Sequence, residues 1–292
     1  MPIAASVIIT TYNSPDWLKK VLWGYFQQTR QDFEIIIADD GSGDPTAQLI
    51  SGLATLSPVP IQHVWQPEDG FQKCRILNKA IVESQSEYLV FSDGDCIPRN
   101  DFIATHLRRA EPGYYLSGGT LNLPMDISQT ITRQHIEQGL CFDKHWLYQQ
   151  GLKKNRKISR ISLGPKQAAL MNRLTPVRCN FKGSNASCWK TDAIAVNGFN
   201  ENMPYGGLDR EFGVRLQNHG ITPRHVRFDA AMVHLDHAKS YRDPAKMAAN
   251  KALRKQMEKD GTVKSPLGIS ELLASGYSAG RSSLHIPQPT TA

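Results

Sequence analysis

Two aspartates one residue apart, Asp93 and Asp95, flank Gly94 directly after the apolar run Tyr88-Leu89-Val90-Phe91. A run of that kind, bounded by Gly and Pro, reads as a buried strand, and open α/β sheets place their ligands at strand ends. Two hard carboxylates on one tight turn suit a divalent cation held against a diphosphate. An acidic turn is also an ordinary way to end a strand, so the pair gains meaning only from its company. Asp39-Asp40 follows a second apolar run, and Asp209 opens a helical stretch in Tyr205-Gly206-Gly207-Leu208-Asp209-Arg210-Glu211-Phe212. Each has a plain alternative, a helix cap for the first and a partner of the helix dipole for the second. Val233-His234-Leu235-Asp236-His237 sets two imidazoles three residues apart, a spacing open to metal ligation and equally to surface or satisfied core histidines.

The elements that must position these groups alternate. Ser6–Thr10 reads as a strand. A helix follows, with Ser14 as its cap, Pro15 at its first position and Leu18, Val21, Leu22, Tyr25 and Phe26 on one face. Glu34–Ala38 and Ile61–Trp65 read as strands, and Phe71–Glu83 as a helix with Ile76, Leu77, Ala80 and Ile81 inward. Strand and helix in strict alternation imply a parallel, doubly wound α/β sheet. Beyond it, Tyr114–Ser117 suits a strand, Ile127–Gln150 is helical but polar, and Leu152–Arg173 reads as a basic loop. A helix runs from about Asp209 to His219, stopped by Gly220. The organisation expected is a domain over 1–240, with a nucleotide-binding half to about 120 and an acceptor and metal half over 121–240. A basic helix over 241–261 and a disordered tail over 262–292 follow it.

The 292 residues carry 34 Lys and Arg against 27 Asp and Glu, a net charge of +7 that favours anionic partners. The basic blocks lack interleaved aromatics, so nucleic acid is not expected as a partner. Five scattered cysteines form no CxxC pair, no run is apolar enough to span a bilayer, and Met1-Pro2 leads straight into a strand without a secretory signal. The expectation is a cytoplasmic protein.

Taken in order, several segments resemble the family 2 glycosyltransferases of the GT-A fold. They are Val7–Asn13, Ala38-Asp39-Asp40-Gly41-Ser42, Gly70-Phe71 through Arg75 to Asn78-Lys79-Ala80, and Asp93-Gly94-Asp95. Gly183-Ser184-Asn185, Val196–Glu201 and the Gly-Gly-Leu-Asp-Arg-Glu-Phe block complete the series. The later part is similar to bacterial polysaccharide and lipopolysaccharide enzymes and to a galactosyltransferase C-terminal region. The resemblance implies a GT-A fold, Rossmann-like with a mostly parallel sheet flanked by helices, as one catalytic domain with a C-terminal helical extension.

It also implies roles. Thr10, Thr11, Tyr12 and Asp39 or Asp40 would hold the uracil and ribose of a UDP-sugar, with Asp93, Gly94, Asn185 and Gly207 shaping the nucleotide-sugar site. Arg75, with Lys79, would neutralise nucleotide charge. Asp95 with His237, or with His234, would hold Mn²⁺ or Mg²⁺. Asp209 would be the base that deprotonates an acceptor hydroxyl, giving an inverting transfer to a glycan or lipid-linked glycan. The Glu usual before that Asp is Leu208 here, and Glu211 is the residue placed to compensate. The helix after Pro244, with five basic residues among Met247, Ala248, Leu253 and Met257, suits peripheral contact with an anionic membrane such as the inner leaflet. Two other readings remain: an idle nucleotide-sugar or glycan binding module, and a sugar-nucleotide-synthesising nucleotidyltransferase. The second would want a Gly-rich basic loop where this chain has Thr10-Thr11-Tyr12-Asn13.

Overall fold

In the computed structural model, which describes residues 2–238 and 243–280, strands β1 (Ala5–Thr11), β2 (Phe33–Asp39), β3 (Ile61–Trp65) and β4 (Tyr88–Asp93) pair in parallel in the order β3-β2-β1-β4. Their side chains alternate between two cores, as the pleat requires. Val7, Ile9, Ile35, Ile37 and Val90 pack on one face, and Ile8, Ile36, Ala38, Leu89 and Phe91 on the other. Helices α1 (Pro15–Phe26) and α2 (Asp44–Ala54) cover the first face and α3 (Lys73–Glu83) the second. Leu18, Val21, Leu22 and Tyr25 of α1 are fully buried, each such side chain contributing about 1.5–3 kcal/mol. Pro15 occupies the first turn as expected, but the Ser14 side chain makes no capping bond.

Helix α4 (Phe102–Arg109) leads to β6 (Tyr114–Ser117), which joins the same sheet with β8 (Asn185–Trp189) and β9 (Thr222–His225). The full order is β3-β2-β1-β4-β8-β6-β9, and β8 runs antiparallel to both neighbours. The sheet is thus mostly rather than wholly parallel, because the chain returns to β4 only after a long excursion. In that excursion the expected helix over Ile127–Gln150 is broken. Helices α5 (Met125–Thr130), α6 (Arg133–Glu137) and α7 (Lys144–Gln149) are separated, with Gly139 left-handed between the last two. The stretch read as a basic loop contains α8 (Ser159–Ser162) and α9 (Pro165–Leu174), anchored where Asn172 bonds the Asp229 carboxylate and the Phe228 N–H.

A second sheet of three short strands, β5 (Cys96–Pro98), β10 (Met232–His234) and β7 (Leu121–Asn122), sits beyond the end of β4. Helix α10 (Lys190–Ala195) follows β8, and α11 (Leu208–Asn218) packs on the second core through Phe212, stacked on Phe199 at 4.3 Å. The basic helix α12 (Pro244–Asp260) lies against α11 with Asn250 and Met257 buried. The stretch expected to be disordered after residue 261 contains α13 (Ile269–Ala274), with Ile269 and Leu272 buried. Asn197 fixes this segment by donating to the Ser265 carbonyl and accepting from the Ser270 N–H. Residues 281–292 of the expected tail lie outside the described residues.

Candidate active site

Asp93 ends β4 directly beside Thr10 of β1, and Thr10 Oγ1 donates to Asp93 Oδ1 at 2.8 Å. Lys73 Nζ, from the first turn of α3, reaches the same carboxylate oxygen at 2.7 Å. Burial works against the Lys73 charge, but Asp93, and with it Asp95 and Asp209, hold its pKa above the ordinary value. The Gly94 N–H donates to the Thr10 carbonyl at 2.8 Å, and a Cβ at Gly94 would stand 2.9 Å from that oxygen. Only glycine lets the acidic turn lie this close to β1.

The small sheet assembles the second group. Antiparallel pairing of β5 with β10 sets His234 opposite Cys96, and the Leu235 N–H donates to the Asp95 carbonyl at 2.8 Å. Asp95 Oδ2 then lies 3.1 Å from His237 Nε2 and 3.5 Å from His234 Nε2. The loop after β10 is tied down where Trp17 Nε1 donates to the Asp236 carbonyl and the Asp236 N–H to Ser128. Burial would raise the Asp95 carboxyl, yet the bond to His237 and the charge of His234 hold it below its usual value. His237 Nδ1 faces the Ala238 carbonyl at 2.8 Å. A carbonyl accepts only, so Nδ1 carries the proton and the Nε2 lone pair of the neutral ring faces a carboxylate. Two lone-pair atoms at that distance need a positive charge between them, either a proton on the ring or a metal cation. One oxygen and two imidazole nitrogens within 4.8 Å of one another form a donor set that fits Mn²⁺ and, less well, Mg²⁺. Cys96, buried beside them, donates its thiol to Asp95 Oδ1 at 3.2 Å.

These groups line a cleft of about 490 Å³ together with Thr11, Tyr12, Asp40, Glu68, Phe71 and Tyr205. The two aspartates after β2 divide here. Asp40 lines the cleft, its oxygens taking Gln66 Nε2 at 2.7 Å and the Gln72 N–H at 3.0 Å, and burial raises its pKa to about 6. Asp39 is wholly buried beneath, accepting from the Ser42 N–H and facing His63 Nε2 at 2.9 Å. Arg75 lies on the exposed side of α3 and is not part of the lining. Lys79 also lies outside it, over the Tyr277 ring. Lys73, which sequence reasoning passed over, is the cation in the cleft. The signal was present: Lys73 shares the inward stripe of α3 with Ile76, Leu77 and Ala80, and Arg75 does not.

A second cavity of about 660 Å³ meets the first along Thr10, Phe71, Lys73, Asp93 and Tyr205. Asp209 lines it from the first turn of α11, its carboxylate held by the Gly183 N–H at 3.2 Å and the Arg210 N–H at 2.9 Å. Gly206 and Gly207 turn into the helix with φ of +114° and +84°, a conformation that disfavours other residues. Asn250 of α12 clamps this turn by donating to the carbonyls of Pro204 and Gly206.

Two expectations are corrected. Leu208 packs into the second core, and Glu211, placed to compensate for it, is buried in a two-point ion pair with Arg215 at 2.7 and 2.8 Å, so it reaches neither cavity. Asn185 is likewise withdrawn. Its Nδ2 donates to the Gly119 and Ala230 carbonyls and its Oδ1 faces His106 Nε2, all within the core. Burial lowers His106 to about 4 and keeps it neutral. Gly183 and Ser184, just before Asn185, do line the second cavity.

Comparison with solved structures gives the class. The chain superposes on a mannosyltransferase from Pyrobaculum calidifontis, solved with GDP-Man and Mn²⁺, over 94% of this chain and 80% of that one (TM-score 0.57, 16% identity). It superposes on residues 1–349 of S. aureus TarS, solved with UDP-GlcNAc, over 92% and 69% (TM-score 0.59, 12% identity). The fold is that of the GT-A glycosyltransferases. The sequence profile of glycosyl transferase family 2 matches residues 6–173, and the chain belongs to that family. Among similar proteins, the glycosyltransferase YfnE of Bacillus subtilis is 26% identical over 84% of this chain and 68% of its own length. The chondroitin synthase of Escherichia coli is 24% identical over 86% of this chain but only 37% of its own length. The protein is a glycosyltransferase.

Proposed function

We propose that the chain is an inverting, metal-dependent enzyme that moves a sugar from a UDP-sugar to a hydroxyl of a glycan or lipid-linked glycan. The observation that carries this reading is the meeting of two cavities at Asp93 and Lys73, with the Asp95-His234-His237 cluster in one and Asp209 in the other.

Tyr12 and Asp40 hold the uracil, Asp40 accepting its N–H as a charge-assisted bond, and Thr10, Thr11, Asp93 and Gly94 hold the ribose side. Asp95 and His237, with His234, hold Mn²⁺ or Mg²⁺, which when bound offsets the charge left on the diphosphate. Lys73 adds a fixed positive charge beside that group. Asp209 takes the proton of the attacking hydroxyl from the side opposite the departing diphosphate, so a single displacement inverts the anomeric carbon. Gly207 keeps the approach to Asp209 open. Neighbouring structures solved with GDP-Man and Mn²⁺ and with UDP-GlcNAc support a metal and a sugar nucleotide here, and a chondroitin synthase among the relatives supports a polysaccharide product.

No described helix is long and apolar enough to cross a membrane. Peripheral contact with an anionic inner leaflet belongs to the same reading, because Lys246, Lys255 and Lys259 of α12 stay exposed beside Met247 and Leu253. Equal recovery of the protein from anionic and neutral liposomes would remove that part. The metal site is tested by Mn²⁺ titration followed by electron paramagnetic resonance. Wild type should bind one equivalent in the presence of UDP, and Asp95→Ala should lose it while keeping its circular dichroism. An unchanged Mn²⁺ signal in the variant would place the ion elsewhere.

A further inference from the structure

The two cavities have opposite electrostatic character. The donor cleft sets Asp40, Glu68, Asp93 and Asp95 against the single lysine Lys73. The second cavity sets seven Lys and Arg side chains against Asp93 and Asp209. Two of the seven are committed, Lys73 to Asp93 and Arg178 to Glu258. Lys182, Arg210, Arg227, Lys251 and Arg254 form no ion pair among the described residues. The second cavity therefore carries an excess of positive charge.

Two of these cations, Arg227 and Lys182, meet Arg160, which stands behind the lining, at one corner. Arg227 and Arg160 both lie against Gly119, where an added Cβ would stand 2.9 Å from Arg227 Cγ and 3.1 Å from Arg160 Cδ. Arg160 donates to the Thr120 carbonyl, and Lys182 Nζ donates to Thr120 Oγ1 at 2.8 Å. Burial, and then the charge of Arg160, lower Lys182 to about 8. Burial and the charge of Arg227 lower Arg160 to about 10. These three half-buried cations form no ion pair among the described residues. Asp209 and Asp93 offset only part of the burial and repulsion felt by Lys182, a cost that a bound anion lowers further. Lys182 immediately precedes Gly183, whose N–H holds Asp209. Lys182, Arg227 and Asp209 line the same cavity, and the charge of Asp209 acts on the Lys182 ammonium.

We propose that this corner receives an oxyanion on the acceptor, so that the enzyme extends an anionic saccharide and the group recognised lies on the sugar that supplies the attacking hydroxyl. The oxyanion is the carboxylate of a uronic acid or the phosphate of a sugar phosphate. Both accept charge-assisted bonds from two guanidinium groups and an ammonium. The inference rests on the glycosyltransferase reading with Asp209 as base.

Isothermal titration of the full chain, with and without UDP and Mn²⁺, tests it against methyl glucuronoside, glucose 1-phosphate and neutral methyl glucoside. One anionic probe should bind about tenfold or more tighter than the neutral one, and which one does so separates carboxylate from phosphate. Arg227→Gln and Arg160→Gln should each reduce that preference toward unity. Equal binding of all three probes, no anionic probe above the neutral one, or a preference kept in both variants would overturn the proposal. Displacement of the anionic probe by UDP would also overturn it, since the oxyanion would then sit on the donor side. UDP affinity, read in the same samples, reports on the donor-site reading separately.

Discussion

Asp95 and His237 face each other at 3.1 Å at one end of the small sheet. Asp95 precedes β5, His237 follows β10, and the antiparallel register of those strands fixes the approach. The arrangement is rigid because the backbone of Leu235 is bonded to that of Asp95, and Trp17 and Ser128 hold Asp236 between the two histidines. A ligand set built on paired strands needs little reorganisation to accept a cation.

Asp209→Asn keeps the shape of the first turn of α11 and removes the proton acceptor. Turnover should fall by a factor of about one hundred or more, while UDP affinity stays near the wild-type value because Asp209 lies in the second cavity. Steady-state kinetics with UDP titration check this. Loss of UDP binding with turnover retained per bound donor would make Asp209 a donor-site residue.

Asp40 supplies the pH dependence. Burial raises its pKa to about 6, above the unfolded value of about 3.9. The folded state therefore binds the proton more tightly. The resulting stability is fully present below the unfolded value and is lost as pH rises through about 6. Under the proposed donor contact, binding would run the other way, since a nucleobase N–H needs the Asp40 carboxylate as acceptor. UDP affinity should fall as pH drops through about 6, and Asp40→Asn should bind weakly with a flattened profile. A wild-type profile flat across that range would remove Asp40 from the base contact.

The parallel half of the sheet was legible because its strands are β-branched runs separated by helices of regular period. The acidic turn at 93–95 is an ordinary strand end by itself and was legible only in company with the other acidic segments and the histidine pair. What escaped was whatever depends on contacts between distant segments. Asn185 looks like a site residue in sequence and is buried against His106, a distant partner that no local pattern announces. The i,i+4 spacing of Glu211 and Arg215 is visible in sequence, and what escaped there is that the pair faces the core rather than the cavity. The folded segment after residue 261 escaped because its small polar residues read as disorder. Its order comes from Asn197 and from burial of Ile269 and Leu272.

The Glu211–Arg215 pair should behave as a structural unit. Both side chains are fully buried, and Arg215 also donates to the Val196 carbonyl. Glu211→Ala strands the guanidinium, which should cost about 3–5 kcal/mol. Urea unfolding with a tryptophan fluorescence readout measures it. A variant as stable as wild type but deficient in turnover would return Glu211 to the site.

Metal-dependent transfer from a UDP-sugar is read out by UDP or GDP release from a panel of sugar nucleotides. Each donor is assayed with an acidic oligosaccharide acceptor, first with Mn²⁺ and then after chelation by EDTA. UDP should be released from at least one UDP-sugar, activity should vanish on chelation and return with added Mn²⁺, and Asp95→Ala should stay inactive throughout. Turnover indifferent to EDTA, or confined to GDP-sugars, would contradict the account.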